Sequence, residues 1–323
     1  MPKPKENSYR KYLEQRHESF QTPDDLINSM VEKAIGTGIV EKRKIIEGEV
    51  NEVYDVSTNR GSVIVRISRL GRSSFETEEK IIRLVSLAGV PAPKVLLIDD
   101  SPDSGQDLTF CIEEKIEGQQ LKDLMRFRDK DSLRKLLGES AKILSIIHQI
   151  PVNKFGPINS EKYFETWADF VYQFEPKRNK IVKVGKKIGL ASNDIDRAFK
   201  IQSDHRNLFQ LENPMLLHGD FSPKHILVKD NGITGVIDFE DAKGGDPIRD
   251  IAWLDFFYHN AFPIEWFTDG YTNRELFDKN FDIKMKLYKL NLGLDLVNYF
   301  SDEKNLPGML YAKGRLTAEL ANF

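Results

Sequence analysis

The feature that most restricts the fold is a short β-type island inside an otherwise helical half of the chain. Leu216-Leu217-His218-Gly219-Asp220-Phe221-Ser222-Pro223-Lys224-His225 leads into Ile226-Leu227-Val228-Lys229, then Asp230-Asn231-Gly232-Ile233, then Thr234-Gly235-Val236-Ile237-Asp238-Phe239. Asn-Gly between two β-type runs is the strongest short-range signal for a two-residue hairpin. With Asn231-Gly232 as the loop, Asp230 faces Ile233, Ile226 faces Ile237 and His225 faces Asp238. Directly opposed side chains share a face with Cβ atoms about 4.5–5.5 Å apart. The pattern therefore brings an imidazole and a carboxylate together at the open end of the hairpin. That pair reads in two ways, as ligands of one cation or as a surface ion pair at a strand end. Asp220, five residues before His225 in a loop bounded by Pro223, approaches the same point without being forced onto a cation. A free carboxylate in that place can orient a hydroxyl and accept its proton.

The flanking sequence sets the island in context. Thr22-Pro23-Asp24-Asp25 before Leu26, Ile27, Met30, Val31 and Ile35 predicts a capped amphipathic helix stopping at Gly36-Thr37-Gly38. Short β-type runs follow at Lys44–Gly48, Glu52–Val56 and Ser62–Ile67, with a turn at Thr58–Gly61. A helix over about Phe75–Leu87 precedes two further strands, Lys94–Asp99 and Leu108–Glu114, so the first part reads as α+β. After Gly118 the pattern turns helical, at Leu121–Phe127, Asp131–Ile150, Tyr163–Phe174, Ala191–Leu211 and from Ile264 onward. The expected division is residues 1–117, with a helical extension over 1–38, and residues 118–323.

The spacing Asp-x-x-x-x-His, a hairpin, then Asp-Phe is the kinase catalytic-loop pattern with His in place of Asn. His218-Gly219-Asp220, Pro223, Ile226-Leu227 and Val236-Ile237-Asp238-Phe239, continuing into Gly245-Asp246-Pro247 and Asp250-Ile251-Ala252, resemble the aminoglycoside phosphotransferase and choline kinase-like family. In motif the chain is most similar to the His-containing subgroups, the aminoglycoside 2''-phosphotransferases and macrolide phosphotransferases. The resemblance implies a protein kinase-like α+β fold, with an antiparallel nucleotide lobe and a larger helical lobe carrying the catalytic hairpin. It makes Asp220 the catalytic base and Asp238 the ligand of the magnesium that bridges the phosphates. His225 becomes the second metal ligand; Mn²⁺ accepts nitrogen more readily than Mg²⁺. His218 would hold the catalytic loop, and Lys224 would reach the transferring phosphate or lie in solvent. Asp246 and Asp250 would fix the loop and the adjoining helix. Arg66, in Val63–Ile67, fills the place usually held by a Lys on the nucleotide phosphates and pairs with Glu78. Gly48 to Tyr54, with a single glycine and Asn51, takes the nucleotide-loop position, and backbone around Glu113, Glu114 and Lys115 would bond the purine of ATP or GTP.

Composition narrows the acceptor by exclusion. The 323 residues hold 47 Lys plus Arg against 50 Asp plus Glu, so the basic surplus of a nucleic-acid binder is missing. One cysteine, Cys111, leaves no internal disulfide, which fits a reducing compartment, and no window approaches a membrane span; the expected location is the cytoplasm. From Asp238 to Asp255 there are six acids and two bases, a local charge of −4 that attracts a cationic amino sugar. The expected activity is transfer of the γ-phosphoryl group of ATP or GTP to a hydroxyl of an aminoglycoside, by a monomer or homodimer, with antibiotic resistance as the outcome. A macrolide or a housekeeping sugar or amino-alcohol substrate is the alternative within that class. A catalytically silent kinase-fold binding module is the alternative outside it. Trp253, Phe256, Phe257, Tyr258, Phe262, Trp266 and Phe267 read either as an apolar acceptor pocket or as helix–helix core.

Overall fold

A computed structural model describes residues 6–69, 73–101 and 108–323; the first five residues of the expected extension lie outside them. Two helices, α1 (Glu6–Glu18) and α2 (Asp24–Ile35), precede three strands, β1 (Ile39–Ile45), β2 (Glu52–Thr58) and β3 (Gly61–Ser68). Helix α3 (Ser73–Leu87) and strands β4 (Val95–Asp100) and β5 (Thr109–Glu114) follow. The five strands form one antiparallel sheet in the order β1-β2-β3-β5-β4. Alternation in β2 and β3 buries Tyr54, Val56, Val63, Val65 and Ile67 against Ile27, Met30 and Val31 of α2, the period-2 and period-3.6 faces meeting as their patterns require. Strand β1 starts five residues earlier than the expected Lys44–Gly48, and Gly48 lies in the loop beyond it. Thr22 does not cap α2: Pro23 occupies that position without a side-chain bond, and the Thr22 hydroxyl donates to Glu52 at 2.6 Å instead.

The chain leaves the sheet at Glu117-Gly118. Gly118 has φ +148°, and a Cβ there would press on Thr234 and the Val228 backbone, so glycine alone fits this crossing. Beyond it come β6 (Gln119–Gln120), α4 (Leu121–Leu124), α5 (Lys130–Ile147), β7 (Gly156–Pro157), α6 (Trp167–Val171), α7 (Arg178–Lys187), α8 (Ser192–Asp204) and β8 (Met215–Leu217). Strands β9 (Ile226–Lys229), β10 (Gly232–Val236) and β11 (Lys243–Gly245) then precede α9 (Ile248–Tyr258), α10 (Glu265–Thr268), α11 (Phe281–Asp302) and α12 (Leu306–Ala321). Two three-stranded sheets, β10-β9-β6 and β7-β11-β8, hold the island in place. The largest apolar cluster runs from Ile81, Ile82 and Val85 of α3 through Leu136, Leu144, Ile226, Val236 and Phe239 to Ile251 and Leu287.

Candidate active site

The hairpin forms, but in a different register from the expected one. Asp230 and Asn231, both left-handed at φ 50° and 67°, make the two-residue loop, and Gly232 pairs with Lys229, as a primed turn requires. A bulge between Ile233 and Gly235 shifts the register, so Val236 faces Ile226 and the Ile237 N–H donates to the His225 carbonyl at 3.0 Å. His225 therefore lies opposite Ile237, not Asp238. The two functional side chains still meet, because Asp238 adopts φ +70° just past the strand. That left-handed turn swings its carboxylate to 3.0 Å from His225 Nε2, and a non-glycine residue held there carries a cost of order 1–3 kcal/mol.

Both rings of the island are buried and ordered by backbone. His225 Nδ1 lies 2.9 Å from the Asp220 carbonyl, which assigns its proton to Nδ1 and leaves Nε2 a lone pair in the neutral ring. Nε2 has no hydrogen-bond partner among the described residues, yet it stands beside an Asp238 oxygen. A lone pair facing a carboxylate calls for a positive charge at that point. Burial disfavours the imidazolium, but Asp220 and Asp238 outweigh it and raise the His225 pKa. For Asp238 the order is the same: burial alone raises its pKa, and His225 with Arg66 and Lys224 pulls it down well below the usual range. His218 is the converse case. Burial and the neighbouring His225 push its pKa down to about 4, and the neutral ring accepts from the Asp220 N–H at 3.3 Å while Nε2 faces the Ile237 carbonyl at 3.1 Å.

Asp220 sits at the centre of this frame. Its Oδ1 accepts from the Trp253 indole at 2.7 Å, and burial raises its pKa. The turn that carries it is pinned by Asp250, whose two oxygens accept from the His218 N–H at 2.7 Å and the Gly219 N–H at 3.1 Å. His148, the residue that follows α5, supports Asp250. Gly219 has φ +88°, and a Cβ there would collide with the Asp241 carbonyl. Asp246 is engaged elsewhere, by Lys284 at 3.0 Å and Tyr288 at 2.8 Å on α11. Lys224 makes no hydrogen bond or ion pair among the described residues, although its charge opposes the burial that raises the Asp220 pKa and helps His225 and Arg66 hold that of Asp238 down. Trp253 escaped the sequence reading as a polar partner. The signal was its place three residues after Asp250, one turn along the same face of a helix.

On the sheet side, Arg66 is only 7 % exposed and meets four carboxylates. Its Nη1 donates to both oxygens of Glu78 at 2.8 and 2.9 Å and to Glu113 at 3.2 Å. Its Nη2 donates to Glu240 at 3.0 Å and lies 3.7 Å from Asp238. Glu240, absent from the sequence-based set, also accepts from Asn51 at 2.8 Å. Arg66, expected on the phosphates, and Asn51, expected in the nucleotide loop, thus converge on one carboxylate. Burial raises the pKa values of Glu78 and Glu240, against the pull of Arg66. The expected purine segment is partly occupied: the Glu114 N–H donates to the Lys94 carbonyl and the Lys115 N–H to the Ser62 carbonyl, while the Glu113 side chain faces Arg66. The next residue, Ile116, has neither backbone group hydrogen-bonded among the described residues. Of the aromatic run, Phe256, Phe262 and Phe267 are buried in the core. Among the described residues no group of three or more His, Cys, Asp or Glu is placed to hold a metal, and no helix is long and apolar enough to cross a membrane.

Comparison with known proteins places this geometry. The model of the phosphotransferase enzyme family matches residues 43–276. Hygromycin-B 4-O-kinase from Escherichia coli is 22% identical over 280 residues, covering 85% of this chain and 79% of that protein. The crystal structure of aminoglycoside phosphotransferase APH(4)-Ia superposes with a TM-score of 0.71 at 20% identity, over 93% of this chain and 99% of that one. The streptomycin-ATP-APH(2'')-IIa ternary complex superposes with a TM-score of 0.61 at 19% identity, over 94% and 97%. The kinase-like fold expected from the motifs is the fold observed.

Proposed function

Because the chain belongs to the phosphotransferase enzyme family, we propose that it transfers the γ-phosphoryl group of ATP to a hydroxyl of an aminoglycoside-like acceptor. The observation that carries this reading is the juxtaposition at the island. A carboxylate held by Trp253 stands next to an imidazole nitrogen and a second carboxylate that together call for a cation. In this reading Asp220 receives the acceptor hydroxyl, orients it and takes its proton as the phosphorus–oxygen bond forms. Lys224 and Arg66 face the phosphate oxygens. His225 Nε2 and Asp238 fit a divalent cation, magnesium or manganese, which would supply charge neutralisation on the phosphates. Two protein ligands suffice, since such ions take their remaining ligands from phosphate and water. Arg66 exchanges Glu240 for phosphate when nucleotide arrives, and Ile116 offers the free backbone groups for the purine.

ATP rather than GTP, and an aminoglycoside rather than another alcohol, follow the relatives: one is a hygromycin-B kinase, another is complexed with ATP and streptomycin. The acidic stretch from Asp238 to Asp255 supports a cationic acceptor. The division into residues 1–117 and 118–323 belongs to the same proposal, with the nucleotide between the two parts. The test measures ADP release with magnesium over a panel of aminoglycosides, macrolides and amino alcohols. Turnover is expected with an aminoglycoside and absent in Asp220→Asn, which still binds ATP. Wild-type turnover in that variant would remove Asp220 from its role, and no turnover across the panel would remove the acceptor class.

A further inference from the structure

The nucleotide-loop segment poses a problem that the site itself does not solve. A loop that meets phosphate presents backbone N–H groups to it, and glycines normally let the chain take that shape. Here Gly48-Glu49-Val50-Asn51 contains one glycine. The contacts that shape it come from α1. His17 Nε2 bonds the Gly48 carbonyl at 2.7 Å, and Arg16 Nε donates to the Glu49 carbonyl. Tyr9 donates to Glu49 Oε1 at 2.6 Å and Tyr12 to Oε2 at 3.4 Å. Asn305, fully buried at the start of α12, reaches the same carboxylate at 3.4 Å. Arg16 Nη1 is tied at 2.8 Å to Glu303, the residue that follows α11.

The consequence is geometric. In a trans peptide the C=O of one residue and the N–H of the next point in opposite directions, and no peptide of the described chain is cis. With the Gly48 and Glu49 carbonyls held toward α1, the N–H groups of Glu49 and Val50 face away from it. Neither is hydrogen-bonded among the described residues. The next residue, Asn51, extends its side chain to Glu240 beside Arg66.

We propose that α1 is a positioning element for the nucleotide: Arg16 and His17 fix the loop carbonyls so that two free N–H groups are presented to the phosphates, doing by outside contact what additional glycines do elsewhere. This rests on the phosphotransfer reading above, and its test separates the two. Binding of AMP-PNP with magnesium is measured calorimetrically on the full chain for wild type, Arg16→Ala, His17→Ala, Arg16→Lys and Arg10→Ala. Arg10 lies on the same helix but among the described residues pairs only with Glu14, so it reports helix fraying without loop contact. Losing one such bond is expected to weaken binding roughly fivefold in Arg16→Ala and His17→Ala, with Arg16→Lys recovering most of it and Arg10→Ala unchanged. Wild-type affinity in both alanine variants, or an equal loss in Arg10→Ala, overturns the positioning role. A wild-type chain that does not bind AMP-PNP overturns the phosphotransfer reading instead.

Discussion

Single side chains at the island do two jobs, holding a charge and aiming it, and the structure assigns these to different residues. Asp220 carries the charge, while Trp253 aims it through an indole N–H. A hydrogen bond to a carboxylate contributes about 1.5–3 kcal/mol, and 1.4 kcal/mol is a factor of ten. Trp253→Phe keeps an aromatic ring beside Phe257, which lies 4.8 Å from the indole, and removes the N–H donor together with the second ring of the indole. If Asp220 is the base, kcat in this variant falls about tenfold or more while nucleotide affinity is unchanged; wild-type kcat would reduce Trp253 to a packing residue. The residues His225 and Asp238 were legible in the sequence as a meeting pair, but the route was not. Hairpin arithmetic assumed an uninterrupted ladder, whereas the bulge at Ile233–Gly235 and the left-handed Asp238 bring them together past the end of it. Bulges and positive φ at a non-glycine residue leave no periodic trace, so pattern reading cannot place them.

At the scale of elements, legibility follows length and periodicity. Strands β2 and β3 alternate, β5 is a run of five buried residues and helix α5 repeats over five turns, and all four lie close to where the sequence places them. Strand β11, Lys243-Gly244-Gly245, has no pattern to read and exists because β7 and β8 flank it. Helix α6 spans Trp167–Val171 instead of the expected Tyr163–Phe174, starting where Thr166 and Asp169 form a capping box. The segment before α2 departs for a different reason: its threonine is drawn to Glu52, the best-satisfied acid of the sheet. Burial opposes the Glu52 charge, but bonds from Thr22, Tyr54, Lys44 and Arg69 overcome it and hold the pKa at about 2, against an ordinary 4.5. A lowered folded-state pKa contributes stability above the ordinary value and loses it as pH falls toward the folded value. The window is therefore pH 4.5 down to about 2, and a shift of that size corresponds to roughly 3 kcal/mol. Thermal midpoints measured across that window should fall more steeply for wild type than for Glu52→Gln. Parallel curves would show that Glu52 does not link α2 to the sheet in a charge-dependent way.

Taken whole, the molecule is cut by its sequence pattern at Glu117-Gly118, but its packing does not follow the cut. The sheet has its own apolar cluster under α2, whereas α3, which lies before the crossing, places Ile81, Ile82 and Val85 in the cluster that runs through the island to α11. Polar contacts cross as well: Glu47 accepts from Gln120 at 3.0 Å and Lys122 at 2.9 Å, Glu78 accepts from the Phe239 N–H, and Glu240 accepts from Arg66 and Asn51. A sheet so tied should not open by itself before the helical part melts. The chain carries separate reporters for the two sides. All three tryptophans, Trp167, Trp253 and Trp266, follow Gly118, and the one cysteine, Cys111, is buried in β5, its thiol pKa pushed up by burial. A buried thiol reacts with a disulfide reagent only when its strand opens. Thiol release and tryptophan fluorescence followed along one temperature ramp should therefore give coincident midpoints. Cys111 reacting well below the fluorescence transition would mean that the sheet and α2 unfold as an independent unit, and that contacts through α3 and Glu240 do not couple the sheet to the helical part.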